Sequence, residues 1–306
     1  MAHPKDKDHS MHKHMAIAVL ALAGALAGPA ARADGHYVPG VEGLQAASVP
    51  PPGVYYLGYL VNYQMDRFRA PGTSDNLPGH NRGTVTALAN RFVWITPHQL
   101  LGADYGMEAI VPVMRTSLTV NAAGISDTRS GVGDVYLGPL VLGWHGPQWD
   151  AVAAAGVWVD SGSTGHPASP GKGFQSTMLT GGLTYYFDGA KTVSGSALMR
   201  FERNGKTDAG FRPGNQVTLE WGLGKSFGAW QAGLVGYSQW QTSDDSGPGA
   251  STHRASRHAL GAELVYPVPG AALFLKGALY QELRAEAGTG AQPKGSLLRF
   301  TLVKAF

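Results

Sequence analysis

The chain has 306 residues, 24 Lys and Arg against 21 Asp and Glu, and no cysteine. The lack of cysteine excludes a disulfide, a thiol nucleophile and a thiolate metal site. The near balance of charge argues against nucleic acid as a partner, and 43 glycines with 43% hydrophobic residues suit an all-β chain rich in turns better than a disordered one.

Residues 1–33 read as a signal peptide. Lys5, Lys7 and Lys13 form a basic start, Met15 to Gly28 is almost wholly apolar, and Ala31-Arg32-Ala33 fits a small-x-small cleavage site. The apolar run falls short of the ~20 residues that span a bilayer as a helix, and suits the core of an export signal. Cleavage is expected after Ala33. The mature chain would then keep 20 Lys and Arg and 19 Asp and Glu, and would lose His3, His9, His12 and His14. No later run reaches the roughly 18 apolar residues of a membrane helix, so a membrane crossing would have to be made by strands.

Residues 34–52 are Pro-rich and weakly patterned, and are expected to form a periplasmic N-terminal segment. From residue 53 the chain breaks into strand-length pieces. In 54–65, Tyr55, Leu57, Tyr59, Val61, Tyr63 and Met65 share one face; Gly58, Asn62 and Gln64 share the other with Tyr56 and Leu60. This alternation fits a strand with an apolar face on lipid and a polar face on a lumen. Further strands are predicted at 84–96, 102–120, 131–145, 148–160, 174–187, 192–203, 214–226, 229–242, 256–267, 271–283 and 296–306, twelve in all. Long polar connections (66–83, 121–130, 161–173, 204–213, 243–255, 284–295) alternate with short ones (97–101, 146–147, 188–191, 227–228, 268–270). An up-and-down barrel in an outer membrane has this pattern, with long outer loops and short periplasmic turns.

The last strand carries Leu298, Phe300, Leu302 and the terminal Phe306 on one face, interrupted by Lys304. A barrel-assembly machinery recognises such an ending, which makes it an expected partner together with outer-membrane lipid. Lys304 can snorkel from the interface.

Charged residues fall in mid-strand: Arg91, Glu108, Asp134, Arg200, Glu202, Glu220, Glu263, Lys276 and Arg299. An Arg or Lys facing lipid at mid-depth costs ~2–4 kcal/mol. These nine are therefore candidate lumen-lining residues. They serve either as a salt-bridge network that fills a narrow barrel or as a polar constriction that selects a solute. Tyr55, Trp94, Trp144, Trp149, Tyr186, Trp230, Trp240, Tyr266 and Tyr280 lie near strand ends, where interfacial girdles explain them.

Gly131-Val132-Gly133-Asp134 is no phosphate loop, because no GK[ST] follows it. GSTG at 162–165 is no nucleophile elbow. His258, near Ser256, has no orienting carboxylate placed beside it by the sequence. A membrane hydrolase is thus the third functional reading, and no catalytic residue, metal or cofactor is expected.

The stretch GVGDVYLGP (131–139), the Val-Pro pair in Ile110-Val111-Pro112, and Gly-Gly-Leu-Thr-Tyr-Tyr-Phe (181–187) resemble the MetA-pathway of phenol degradation family of outer-membrane β-barrel transporters. The likeness runs from about Gly53 to Phe306. It implies uptake of phenols or other hydrophobic compounds. The resulting expectation is an all-β, antiparallel up-and-down transmembrane barrel over residues 53–306. Its leading function is an outer-membrane channel for a small hydrophobic or aromatic solute. The alternative is a structural or surface-binding barrel with a plugged lumen.

Overall fold

A computed structural model describes residues 35–306; the expected signal peptide and its cleavage site lie outside the described residues. The strands are β1 (Gly53–Arg69), β2 (Asn81–Leu100), β3 (Ala103–Val120), β4 (Ile125–Val132), β5 (Val135–His145), β6 (Trp149–Val159), β7 (Ser176–Tyr186), β8 (Val193–Asn204), β9 (Gln216–Phe227), β10 (Trp230–Gln241), β11 (Ser256–Val268), β12 (Leu273–Glu286) and β13 (Gln292–Ala305). Apart from β4 and β5, strands adjacent in sequence pair antiparallel, and β1 pairs with β13 from Tyr55↔Ala305 to Arg69↔Gln292, closing the ring. β4 and β5 both pair with β3 and share one place in the wall, so the barrel has 12 strands. Closure leaves no sheet edge to satisfy in lipid.

The outer face carries the membrane belt. Leu60, Leu88, Val113, Leu179, Met199, Leu223, Leu234, Leu264, Leu279 and Phe300 are all exposed. Trp94, Trp149, Trp230 and Trp240 are exposed near its rims. Tyr55, Tyr186 and Tyr280, expected in the same girdles, instead turn inward and are buried. Leu234 lies between Trp230 and Trp240 on β10, so it samples the belt's middle. Leu234→Arg should destabilise the barrel by about 2–4 kcal/mol and Trp240→Arg at the rim by about 0–1 kcal/mol. Urea unfolding in lipid vesicles measures both; equal costs would place Leu234 outside the hydrocarbon.

The connections keep the expected alternation, at different lengths. The outer ones are 70–80, 121–124, 160–175, 205–215, 242–255 and 287–291; the others are 101–102, 146–148, 187–192, 228–229 and 269–272. Much of the loop expected at 121–130 is β4, and β12 and β13 extend into the one expected at 284–295. The strands outgrow the lipid here because polar side chains continue the ladder in water. Asn62 donates to Thr86 (2.9 Å), Thr84 to Gln64 (3.0 Å), and Ser117 pairs with Thr128 (2.9 Å). This reverses the reading of β1: its apolar face (Tyr55, Tyr59, Val61, Met65) is buried inside, while Asn62 and Gln64 stand outside.

Candidate functional site: an occluded lumen

Residues 35–52, expected in the periplasm, run inside the barrel. From the short-turn end upward, Val49 packs on Gly143, where a Cβ would come within 2.6 Å of it. Ser48 bonds the Tyr186 hydroxyl (3.3 Å), and the Ala46 N–H donates to Ser196 (3.3 Å). The Leu44 N–H donates to Glu263 (2.5 Å). Gly43 crosses that carboxylate with φ +74°, so close that a Cβ would overlap it. Three Pro (50–52) lead into β1, and their fixed φ limits the freedom of the tether.

The wall answers this segment with charge. Arg299 donates to the Gly40 carbonyl (2.9 Å) and pairs with Glu263, both side chains being fully buried. Arg200 donates to the Tyr37 hydroxyl (2.6 Å) and to Glu42 (2.5 Å), and its guanidinium lies 4.3 Å from the Tyr37 ring centre. Tyr37 also donates to Glu220. Arg91 bridges Glu108 (2.6 Å) and Glu42 (3.2 Å). Burial disfavours the Glu42 anion, but Arg200 and Arg91 outweigh it and hold its pKa at about 2. Lys276 lies within electrostatic reach of Glu263, Arg299 and Glu42.

At the top of the segment, His36 sits between Asp134 (3.3 Å) and Glu202 (2.9 Å), stacked on Trp158. The His36 and Tyr37 N–H groups donate to Glu202, as does the Ser176 hydroxyl. All nine sequence-chosen residues therefore lie on the inside, and eight belong to one connected network with the segment; Lys276 joins it through space.

Burial lowers the His36 pKa, but Asp134 and Glu202 outweigh burial and the opposing Lys172, leaving it above 6.5. A raised folded pKa gives stabilisation that is complete below the unfolded value and lost as pH rises through the folded one. Docking of the segment should thus be tightest below pH 6.5 and loosen above it. Trp158 fluorescence against pH reads this through the stacked ring. Docking that tightens with rising pH, or an unchanged profile in His36→Gln, would count against the charged histidine.

Above the network lies a cavity of about 370 Å³. Its walls are Tyr59, Val61, Met65, Ile110, Met114 and Met178; Pro167 to Lys172 of loop 160–175 cover it, and Glu42, Arg91 and Arg200 form its floor. An apolar chamber with a few convergent polar groups is the usual form of a small-molecule site.

The sequence matches the family model described as "Putative MetA-pathway of phenol degradation" over residues 65–298. The chain belongs to this family. Among solved structures, the COG4313 outer membrane channel from Pseudomonas putida F1 aligns with TM-score 0.74 and 14% identity, covering 89% of this chain and 100% of that one. That likeness establishes the fold as a closed antiparallel β-barrel. The CymD monoaromatic hydrocarbon channel aligns at TM-score 0.44 and 11% identity (83% of this chain, 89% of its own). The TodX monoaromatic hydrocarbon channel deltaS2 mutant aligns at 0.44 and 12% (91% and 94%). No curated protein matches the chain.

In this member of the phenol-degradation family, GVGDVYLGP is where the wall is interrupted. The Gly133 N–H donates to the Pro112 carbonyl (2.9 Å), and Asp134 leaves the ladder between β4 and β5. Its carboxylate accepts from the N–H groups of Ser161 (3.0 Å), Gly162 (2.8 Å) and Lys172 (2.7 Å), so it pins both ends of loop 160–175 as well as meeting His36. The motif thus joins the cover of the chamber to its plug. His258 bonds Ser238 (2.9 Å) on the outer face, while Ser256 bonds Glu286.

Sequence reasoning missed His36, Tyr37 and Glu42, because a Gly- and Pro-rich segment has no periodicity to place them. It also missed Glu282, which accepts from Tyr63 (2.7 Å), Tyr237 (2.9 Å) and the Gly295 N–H (2.8 Å). Its position two residues from Tyr280, on the same face of β12 as Ala278, was the available signal.

Proposed function

We propose that this protein is an outer-membrane channel for small apolar or aromatic compounds, held closed in this conformation by residues 35–52. The observation that carries the reading is the chamber itself, walled by Tyr59, Val61, Met65, Ile110, Met114 and Met178 over a floor of Glu42, Arg91 and Arg200. A water-filled porin has no use for methionine and tyrosine walls at mid-lumen; an apolar solute gains by leaving water for them. Export by a signal peptide cleaved after Ala33, and assembly through the strand that ends at Phe306, belong to the same reading. Of the nine charged residues, Asp134 holds the cover of the chamber and the others act as the constriction around the segment.

Liposomes containing the protein should pass toluene or phenol faster than protein-free liposomes and should pass sugars poorly. Permeation by none of these solutes would overturn the channel reading. That outcome would favour the second one, a non-transporting barrel, which the hydrogen-bonded plug supports on its own.

A further inference from the structure

We propose that Arg91 and Arg200 form a carboxylate-binding site, that Glu42 fills it as an internal stand-in, and that an apolar solute bearing a carboxylate displaces Glu42 and undocks residues 35–52. This rests on the channel reading and names a solute class for the same chamber.

The geometry is that of two guanidiniums sharing one carboxylate. Arg200 reaches Glu42 Oε1 at 2.5 Å, and Arg91 reaches the same oxygen at 3.2 Å and Oε2 at 3.5 Å. Arginine forks suit carboxylates in this way. Both arginines and Glu42 line the chamber floor, so the site opens directly onto the apolar space. Glu42 is not part of the wall; it belongs to the one segment that could leave without breaking the barrel's strand ladder.

The wall does not balance this site by itself. Around it, Arg91, Arg200, Lys276 and Arg299 face Glu108, Glu220 and Glu263, and Glu42 supplies the fourth carboxylate. Arg91 keeps Glu108, but among the described residues Arg200 has only Glu220 at 3.9 Å besides the segment's own Glu42 and Tyr37. Departure of the segment therefore strips Arg200 of its close partners, which a buried charge tolerates poorly. A carboxylate from the solute restores them at equal charge. A neutral aromatic of the same size fits the walls but cannot do this. An aromatic monocarboxylate combines both requirements: the ring takes the chamber and the anion takes the arginines.

The chain has no cysteine, so Ala47→Cys, at a position buried in the docked segment, gives a unique thiol that the reagent reaches on undocking. The full mature protein is reconstituted in liposomes, and the rate of labelling by a water-soluble thiol reagent is followed with benzoate, benzyl alcohol or acetate at matched ionic strength. Benzoate should raise the rate on the order of tenfold at ten times its dissociation constant, the shift expected for a ligand of the undocked state. Benzyl alcohol and acetate should do far less. Glu42→Gln should label fast without benzoate and respond little to it. A benzoate rate equal to the ligand-free rate, to that with benzyl alcohol or to that with acetate overturns the proposal. Toluene flux through the same liposomes is measured in parallel. Flux without a benzoate effect on labelling removes the carboxylate site alone, and the absence of flux even with benzoate present removes the channel reading.

Discussion

Arg299→Ala is expected to destabilise the barrel by about 3–5 kcal/mol, the cost of breaking a buried ion pair by removing one partner. Arg299 on β13 and Glu263 on β11 are both fully buried, and they meet across β12. The alanine would leave Glu263 with the Leu44 N–H as its remaining close donor and would free the Gly40 carbonyl, so wall and plug would loosen together. Replacing both charges, as in Arg299→Met with Glu263→Leu, should recover most of the loss, because a matched apolar pair carries no desolvation penalty. Urea unfolding in lipid vesicles measures both variants. A loss below about 1 kcal/mol for the single variant would mean that water reaches the pair, as at a surface ion pair.

Removing residues 35–50 has the largest effect expected on permeability. The segment supplies Glu42, Tyr37 and His36 to the network and fills the space between the turn end and the chamber. Its deletion should raise conductance in planar bilayers and liposome swelling with small sugars several-fold. The ring itself should persist, because every neighbouring pair of strands is joined by backbone hydrogen bonds that do not involve the segment. Arg299 keeps Glu263 and Arg91 keeps Glu108 after the deletion, so it should cost less stability than Arg299→Ala, in which Glu263 stays buried without its partner. A deleted form with unchanged conductance would show that loop 160–175 alone closes the barrel, and the same experiment on Asp134→Ala would then be the informative one.

The order of the strands and the places of their connections were legible in the sequence because both are local: period-2 patterning and turn composition follow from a few consecutive residues. The nine inward charges were legible for the same reason, since a mid-strand ion in a membrane has one inexpensive side to face. The inward turn of Tyr59, Val61 and Met65 was not legible, because β1 is apolar on one face and mixed on the other, and the local pattern favoured the wrong side. What decided it is the segment packed against that face and the chamber beside it. Glu42 was further out of reach, as its two arginines lie 49 and 158 residues away along the chain. By itself, then, the sequence determined a closed transmembrane barrel with a charged interior, because those properties depend on neighbours in the chain. The tertiary structure decided that the interior is occupied, by which residues, and that an apolar chamber remains above them, because these depend on contacts that exist only once the ring has closed.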